Sequence, residues 1–261
     1  MTDFIAFDLE IAKIVEDVSD LDPRNELGIS CAATLTSGGE LKLWHGREAD
    51  GGYAARMEEW EAWEMATWLH EQQAAGVPIV TWNGLGFDFH VLATESGDFE
   101  TCAQLAVAHV DLMFAFQVVK GFPLSLKKAA LACGNHKGAG GIESGADAPR
   151  LWAAGRYDNA LAYVAQDVRA TADVARYPLR HSGFTWISNS GRCNAFQLPR
   201  VARRVEYPSR RVRSQTEGLF HTARGLTDLT AEKVREWPCP DTSWMTDPIP
   251  RERLLRWLTE N

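Results

Sequence analysis

The chain has 261 residues, 45% of them hydrophobic, and a formal net charge of −8. This length and this apolar fraction are enough for one domain with a sizeable core, and they argue against long disordered stretches. No run of eighteen apolar residues occurs, which argues against a membrane-spanning helix.

Cysteine usage and the N-terminal residues bear on the cellular compartment. The first residues contain neither a basic region nor a cleavage site, so no secretory signal is predicted. The cysteines are scattered, odd in number and include no CxxC pair: Cys31, Cys102, Cys133, Cys193 and Cys239. We therefore expect reduced thiols in a cytoplasmic protein, without structural zinc or disulfides.

Charge is distributed unevenly along the chain. Residues 1–175 carry 12 Lys and Arg against 26 Asp and Glu, whereas residues 176–224 carry 10 arginines against two glutamates. A concentrated basic segment is the usual footprint of a protein that contacts a phosphate backbone, although a solvated basic face is the alternative. The acidic balance of the whole chain therefore does not exclude a nucleic-acid partner.

The order of predicted elements indicates an α/β protein with a mixed sheet. Short apolar runs predict strands at 4–7, 29–36, 41–45, 78–82 and 184–188. Helices are predicted at 53–75, from about 87 onward, across 99–133 with a break at 120–123, and at 157–176. The glycine-rich stretch 134–149 is predicted as a loop. We expect a core at residues 1–180 and an arginine-rich extension at 181–261 that packs on it.

Three motifs, FDLE, NGLGFD and YVAQD, supply four carboxylates and one tyrosine. Asp8 and Glu10 alternate along a predicted strand, so both point to one side of the sheet. Asp88 falls in a first helical turn, where the helix dipole tolerates a carboxylate. Tyr163 and Asp167 are four residues apart and so share one face of a helix. Three elements can therefore converge on one acidic pocket.

Such a carboxylate cluster has a specific chemical use. Close carboxylates repel one another unless a cation lies between them, and oxygen ligands without His or Cys suit Mg²⁺ or Mn²⁺ rather than zinc. Two such ions about 3.5–4 Å apart can stabilise the attacking and leaving oxygens of an in-line displacement. Each motif alone has a structural explanation, but their order and placement together favour a metal site.

The motifs FDLE, NGLGFDFHVL and YVAQD resemble those of the DEDD (DnaQ-like) family of 3′–5′ exonucleases, over roughly residues 4–175. The tyrosine four residues before the last Asp is similar to the tyrosine (DEDDy) branch. The histidine branch has His five residues before that Asp, where this chain has Ala162. Proofreading-type exonuclease domains of family B DNA polymerases are similar as well. The resemblance implies a ribonuclease H-like fold and two Mg²⁺ ions, with Mn²⁺ as a substitute.

The resemblance also implies a role for each motif residue. Asp8 would bridge both ions, Glu10 and Asp167 would complete the first ion, and Asp88 would hold the second through water. Tyr163 would orient the attacking water through its hydroxyl. A tyrosine of ordinary pKa near 10 is a poor base, so lowering the pKa of the water falls mainly to the metal.

Substrate contacts are predicted at five further positions. Asn83 and Phe87 match family positions near the 3′-terminal nucleotide, and for Phe87 packing in the core is an equal alternative. Leu9 is predicted as a substrate contact as well. Arg203 and Arg204 lie in the basic segment and are predicted to contact the strand upstream of the active site.

Several other side chains have competing interpretations. Asp111 is predicted as a helix cap rather than a support for the site, and His90 and His109 as structural residues. Trp186, among the arginines, is a candidate for base stacking. Three tryptophans of one predicted helix are expected in the core: Trp60, Trp63 and Trp68.

The sequence thus predicts a magnesium-dependent hydrolase that removes nucleotides from the 3′ end of a single strand and releases nucleoside 5′-monophosphates. DNA is favoured slightly over RNA, because the resemblance is to proofreading-type domains. One alternative is an exoribonuclease that trims RNA 3′ ends with the same site. An alternative of another class is a nucleic-acid-binding module with a decayed site.

Overall fold

A computed structural model of the protein describes residues 3–17, 21–135, 145–181, 183–197 and 243–245. Five strands form one sheet: β1 (Ile5–Ile11), β2 (Ile29–Thr36), β3 (Leu41–His45), β4 (Ile79–Thr81) and β5 (Val110–Asp111). Their order is β3-β2-β1-β4-β5, with β1 at the centre. Strand β1 is antiparallel to β2 and parallel to β4, so the sheet is mixed.

Helices cover both faces of this sheet. They are α1 (Glu59–Ala74), α2 (Asp88–Ser96), α3 (Phe99–Ala108), α4 (Leu112–Lys120), α5 (Leu126–Ala132), α6 (Ala148–Ala153) and α7 (Tyr157–His181). A separate antiparallel hairpin consists of β6 (Gly183–Ile187) and β7 (Cys193–Gln197). None of the helices in the described part of the chain is both long and apolar enough to cross a membrane.

The alternation of β1 decides which side of the sheet carries the acids. Phe7 and Leu9 pack into the core formed with α1, α2 and α3, whereas Ala6 packs into the core formed with α7. Successive side chains of a strand point to opposite faces. Asp8 and Glu10 therefore lie on the α7 face of the central strand.

The predicted mixed α/β sheet of ribonuclease H-like type is confirmed. The predicted break after residue 120 is also confirmed, and the long last helix extends to His181. Strand β1 extends past the apolar run 4–7 to Ile11, and Asp8 and Glu10 lie within it, paired with Ala33 and Cys31 of β2.

Three local predictions are wrong. The first long helix begins at Glu59 rather than at residue 53, because Tyr53 forms a β-bridge with Arg47 and a capping box of Glu58 and Glu61 starts α1. The two-residue strand β5 interrupts the helix predicted across 99–133. The loop predicted at 134–149 ends too late, because Gly145–Asp147 form a 3₁₀ turn and α6 begins at Ala148.

Parts of the C-terminal extension contact the core. Phe184 and Trp186 of β6 are buried in the core on the α7 face, and Trp244 and Met245 pack into the core on the opposite face. Most of the arginine-rich segment, including Arg203 and Arg204, lies outside the described residues.

Candidate metal centre

Asp8, Glu10 and Asp167 form a compact cluster of carboxylates. Each offers one oxygen, and the three oxygens lie within 4.8 Å of one another. Strand β1 supplies the first two acids at alternate positions, and α7 packs across the same face of the sheet to supply the third. Glu10 and Asp167 are buried, and Asp8 is partly exposed. One edge of the cluster therefore remains accessible to a substrate.

The donor set of this cluster fits a hard divalent cation. All three candidate ligand atoms are carboxylate oxygens, and within the part of the chain that the structure describes no histidine or cysteine joins the group. Such a set suits Mg²⁺ or Mn²⁺ better than zinc, which prefers nitrogen and sulfur. The carboxylates also repel one another at this spacing, which a bound cation would relieve.

Asp88 lies beside the cluster rather than among its three members. It is the first residue of α2, and its Oδ1 accepts a hydrogen bond from the backbone N–H of Leu9 at 3.2 Å. Because Leu9 separates Asp8 from Glu10, this bond ties the start of α2 to the acid-bearing part of β1. The pKa of the Asp88 carboxyl is raised to about 7, mainly by burial; the Leu9 N–H opposes this rise, and the charges of Asp111 and Asp167 add to it.

Tyr163 also faces the cluster, one helical turn before Asp167. A Cβ built on Gly145 would lie 3.8 Å from the Tyr163 hydroxyl and 3.8 Å from Glu10 Oε2, so both oxygens approach the same point. Burial, followed by the charges of Asp167 and Glu10, raises the pKa of the Tyr163 hydroxyl above its ordinary value. The phenol therefore stays protonated near neutral pH and acts as a hydrogen-bonding group.

Gly145 is the member of the site that the sequence did not reveal. It lies at the end of a glycine-rich stretch, and nothing in that stretch distinguishes it from its neighbours. A larger side chain here would extend between Glu10 and Tyr163. We infer that its lack of a side chain leaves space beside the cluster.

Asp111 holds the turn that precedes Asp88. Its Oδ1 accepts from the N–H groups of Asn83 at 3.1 Å and Phe114 at 2.9 Å, and its Oδ2 accepts from the N–H of Leu85 at 3.1 Å. The bond to Phe114 makes it the N-cap of α4, as predicted. The other two bonds support the turn of the second motif. Asp111 therefore both caps α4 and supports the turn that precedes Asp88.

We expect Asp111→Asn to lower the free energy of unfolding by about 1–3 kcal/mol, because an amide NH₂ in place of Oδ2 would leave the buried Leu85 N–H without its acceptor. Chemical denaturation measures this loss. Asp98→Asn is the matched control: Asp98 accepts only from Thr101 at the start of α3, where Asn caps as well as Asp. Equal effects of the two substitutions would contradict the supporting role of Asp111.

The residues predicted to contact substrate lie in different environments. The Leu9 side chain is buried in the core, with 4% exposed, so it presents no side-chain surface to a ligand. Phe87 is partly buried and packs against the same core, in line with the packing alternative. Asn83 is partly exposed at the turn, with a positive φ of 74°. Arg203 and Arg204 lie outside the described residues.

Aromatic and histidine side chains depart from the predictions in part. Trp60 and Trp63 are 62% and 51% exposed, so the expectation that they lie in the core is wrong. Trp186 is buried against Phe116, which makes it a packing residue rather than a base-stacking surface. His90 and His109 are buried, as expected of structural histidines; His90 stacks on Trp244.

Comparisons with known proteins agree with this architecture. The model of the RNase H superfamily family RNase_H_2 matches residues 53–178, a range that contains Asp88, Tyr163 and Asp167 but begins after Asp8 and Glu10. No curated protein matches the sequence.

Solved structures also match. The family B DNA polymerase of Pyrobaculum calidifontis is 21% identical with a TM-score of 0.52, over 69% of this chain and 25% of the polymerase. Exonuclease I of Methylocaldum szegediense is 19% identical with a TM-score of 0.37, over 69% of this chain and 41% of that one. A zinc-bound complex of Escherichia coli exonuclease I with single-stranded DNA is 16% identical with a TM-score of 0.36, over the same shares.

The likeness to the polymerase is one of fold, and this chain spans a quarter of that protein's length. Sheet topology, the family match and this likeness agree with one another. Together they show that the chain has a ribonuclease H-like fold.

Proposed function

We propose that the protein is a metal-dependent 3′–5′ exonuclease of the tyrosine branch of the DEDD family. It hydrolyses phosphodiesters at the 3′ end of single-stranded nucleic acid, DNA in preference to RNA, and releases nucleoside 5′-monophosphates. The proposal joins the resemblance of the three motifs to the geometry of the cluster.

One observation carries the proposal: the oxygens of Asp8, Glu10 and Asp167 lie within 4.8 Å of one another. These residues come from the first and last core elements of a ribonuclease H-like fold, on the side of the sheet that α7 covers. Carboxylates at this spacing destabilise the metal-free protein through repulsion, so a binding role explains them better than a structural one.

The chain's own residues have separate tasks in this reaction. Asp8, Glu10 and Asp167 would hold the divalent cation. Asp88, at the adjoining start of α2, would help to hold it. Bound metal supplies charge stabilisation and lowers the pKa of the attacking water. Tyr163 would hold that water by a hydrogen bond from its hydroxyl, which faces the cluster beside Glu10. The Leu9–Asp88 bond keeps α2 aligned with β1.

An oligonucleotide assay tests the proposal. Single-stranded DNA and RNA, each labelled at the 5′ or the 3′ end, are incubated with Mg²⁺ or with EDTA. We expect a ladder of shortened 5′-labelled products, immediate release of labelled mononucleotide from 3′-labelled substrate, and no reaction in EDTA. Faster cleavage of RNA would indicate the exoribonuclease. Binding without cleavage in Mg²⁺ or Mn²⁺ would indicate the binding module.

Tyr163→Phe is expected to lower kcat by about 10²-fold while KM changes little, because one hydrogen bond to the reacting water is lost. The ring still fills its buried site, so the melting temperature stays close to that of the wild type. Steady-state kinetics on a 3′-terminal reporter measure the effect. A rise in KM at unchanged kcat would assign Tyr163 to substrate binding instead.

A further inference from the structure

A cavity lined by residues outside the carboxylate cluster has no part in the reaction described above. Its volume is about 520 Å³, within the range of about 300–1,000 Å³ that is typical of ligand pockets. The turn after β1, the segment before β2, the segment before α1, the end of α6 and the start of α7 line it. Five segments of the chain therefore border it.

Three aromatic rings form one wall of the cavity. Tyr53 and Tyr157 are stacked, with ring centroids 4.6 Å apart, and Trp152 packs edge-on against Tyr157 at 4.8 Å. The Trp152 Nε1–H donates to the backbone oxygen of Ala54 at 3.0 Å, which fixes that ring. Tyr53 and Tyr157 are partly exposed, whereas Trp152 is buried. The wall is thus held in place before any ligand binds.

The cavity lies next to the carboxylates on the same side of the sheet. Ala12 and Lys13 line it and follow Glu10 by two and three residues, and Tyr157 precedes Tyr163 by six residues of α7, about 9 Å along the helix axis. Tyr53 and Tyr157 pack against the core of the α7 face, where Asp8 and Glu10 also point. A strand bound at the cluster therefore reaches the cavity within a nucleotide or two.

The charged residues that line the cavity limit the chemical class of ligand that can bind there. Lys13 and Arg56 contribute two cations, and Glu26 and Glu48 contribute two carboxylates. The two cations oppose binding of a basic side chain, and the two carboxylates oppose a bare anion. The aromatic rings favour binding of a flat, neutral aromatic group, and neither the cations nor the carboxylates oppose it.

We propose that this cavity binds a nucleobase of the substrate strand, one or two nucleotides from the scissile phosphate, by stacking on the Tyr53–Trp152–Tyr157 wall. The inference rests on the proposed function, because it needs a nucleic acid at the cluster. It adds a sequence-tolerant anchor that positions the strand, since every base offers an aromatic face.

Abasic scanning tests the inference. Labelled DNA strands carry one abasic site at successive positions from the 3′ end, and binding is measured with Asp8→Asn protein so that cleavage does not interfere. We expect about tenfold weaker binding when the abasic site is at the position that occupies the cavity, and little change elsewhere. In the Tyr157→Ala background this dependence on position disappears.

Matched variants separate stacking from structural damage. Tyr157→Phe should bind like the wild type, because stacking needs the ring and not the hydroxyl. Ala153→Trp should imitate Tyr157→Ala, because it fills the cavity without removing a wall residue. Trp60→Leu removes an exposed aromatic ring of α1 outside the cavity and should change nothing. The salt dependence of binding should also stay unchanged in Tyr157→Ala, since no charge is removed.

Two failures are distinguishable. Wild-type protein that cleaves oligonucleotides but shows a flat abasic scan, or an Ala153→Trp variant that binds normally, would overturn the base-binding cavity alone. Wild-type protein that neither binds nor cleaves any oligonucleotide would overturn the proposed function and this inference with it.

Discussion

Asp8→Asn is expected to reduce cleavage by about 10³-fold or more, because it removes one charged ligand from a cluster of three carboxylates. Asn is isosteric with Asp, and Asp8 is partly exposed, so the fold is retained and the metal-free protein is no less stable than the wild type. Single-turnover cleavage of a 5′-labelled strand in Mg²⁺ measures the effect.

The matched control is Glu71→Gln, which neutralises an exposed acid of α1 outside the cluster. It should retain full activity. Substantial turnover in Asp8→Asn, or an equal loss in both variants, would show that the cluster is not the catalytic centre.

Asp88→Asn is expected to stabilise the metal-free protein at pH 8 by an amount on the order of a few kcal/mol, while it lowers cleavage. Burial raises the pKa of Asp88 from 3.8 to about 7, so the fold opposes ionisation of this carboxyl. An asparagine carries no charge, and its side-chain oxygen can still accept the Leu9 N–H.

The direction in which pH changes stability follows from the pKa of this carboxyl, which is 3.8 in the unfolded chain and about 7 in the folded protein. Below about pH 3 the carboxyl is largely protonated in both the folded and the unfolded chain, so it contributes almost no penalty. As the pH rises to about 7 the unfolded chain ionises first, and stability falls until the folded carboxyl ionises as well. In EDTA, the stabilities of wild type and Asp88→Asn should therefore differ much less at about pH 3 than at pH 8. An identical difference at both values would contradict the account.

The two expectations share a physical cause. A cluster built to bind cation is destabilising without it, and the acids that support catalysis oppose folding of the metal-free chain. Added Mg²⁺ should accordingly raise the melting temperature of the wild type more than that of Asp8→Asn.

Local periodicity was enough to predict the arrangement within each motif. Asp8 and Glu10 share a face because strand side chains alternate, and Tyr163 and Asp167 share a face because they are one helical turn apart. Convergence of β1 with α7 is a tertiary feature that no period reveals. It was expected from the resemblance of the motifs, and the coordinates bring three of the four acids together.

The exposed tryptophans of α1 show that position around a helix predicts burial better than residue type does. In α1 the buried positions Ala62, Met65 and Leu69 follow a helical spacing, and Trp60 and Trp63 fall off that stripe. Their large apolar side chains suggested a core position, but their spacing relative to the buried residues places them on the solvent-facing side of the helix.

Other features lay beyond local patterns for clear reasons. Strand β5 is two residues long, so alternation cannot reveal it, and it forms only because β4 offers a parallel partner. The approach of Gly145 to Glu10 and Tyr163, and the three-ring wall around Trp152, join segments that are far apart in the sequence.

Anomalous diffraction from crystals soaked in Mn²⁺ tests the central claim most directly. We expect an anomalous peak bound by oxygens of Asp8, Glu10 and Asp167 at roughly 2.0–2.2 Å, weakened or absent in Asp8→Asn crystals. Well-ordered crystals with no peak among these three carboxylates, or with manganese only at other sites, would contradict the claim that they form a metal centre.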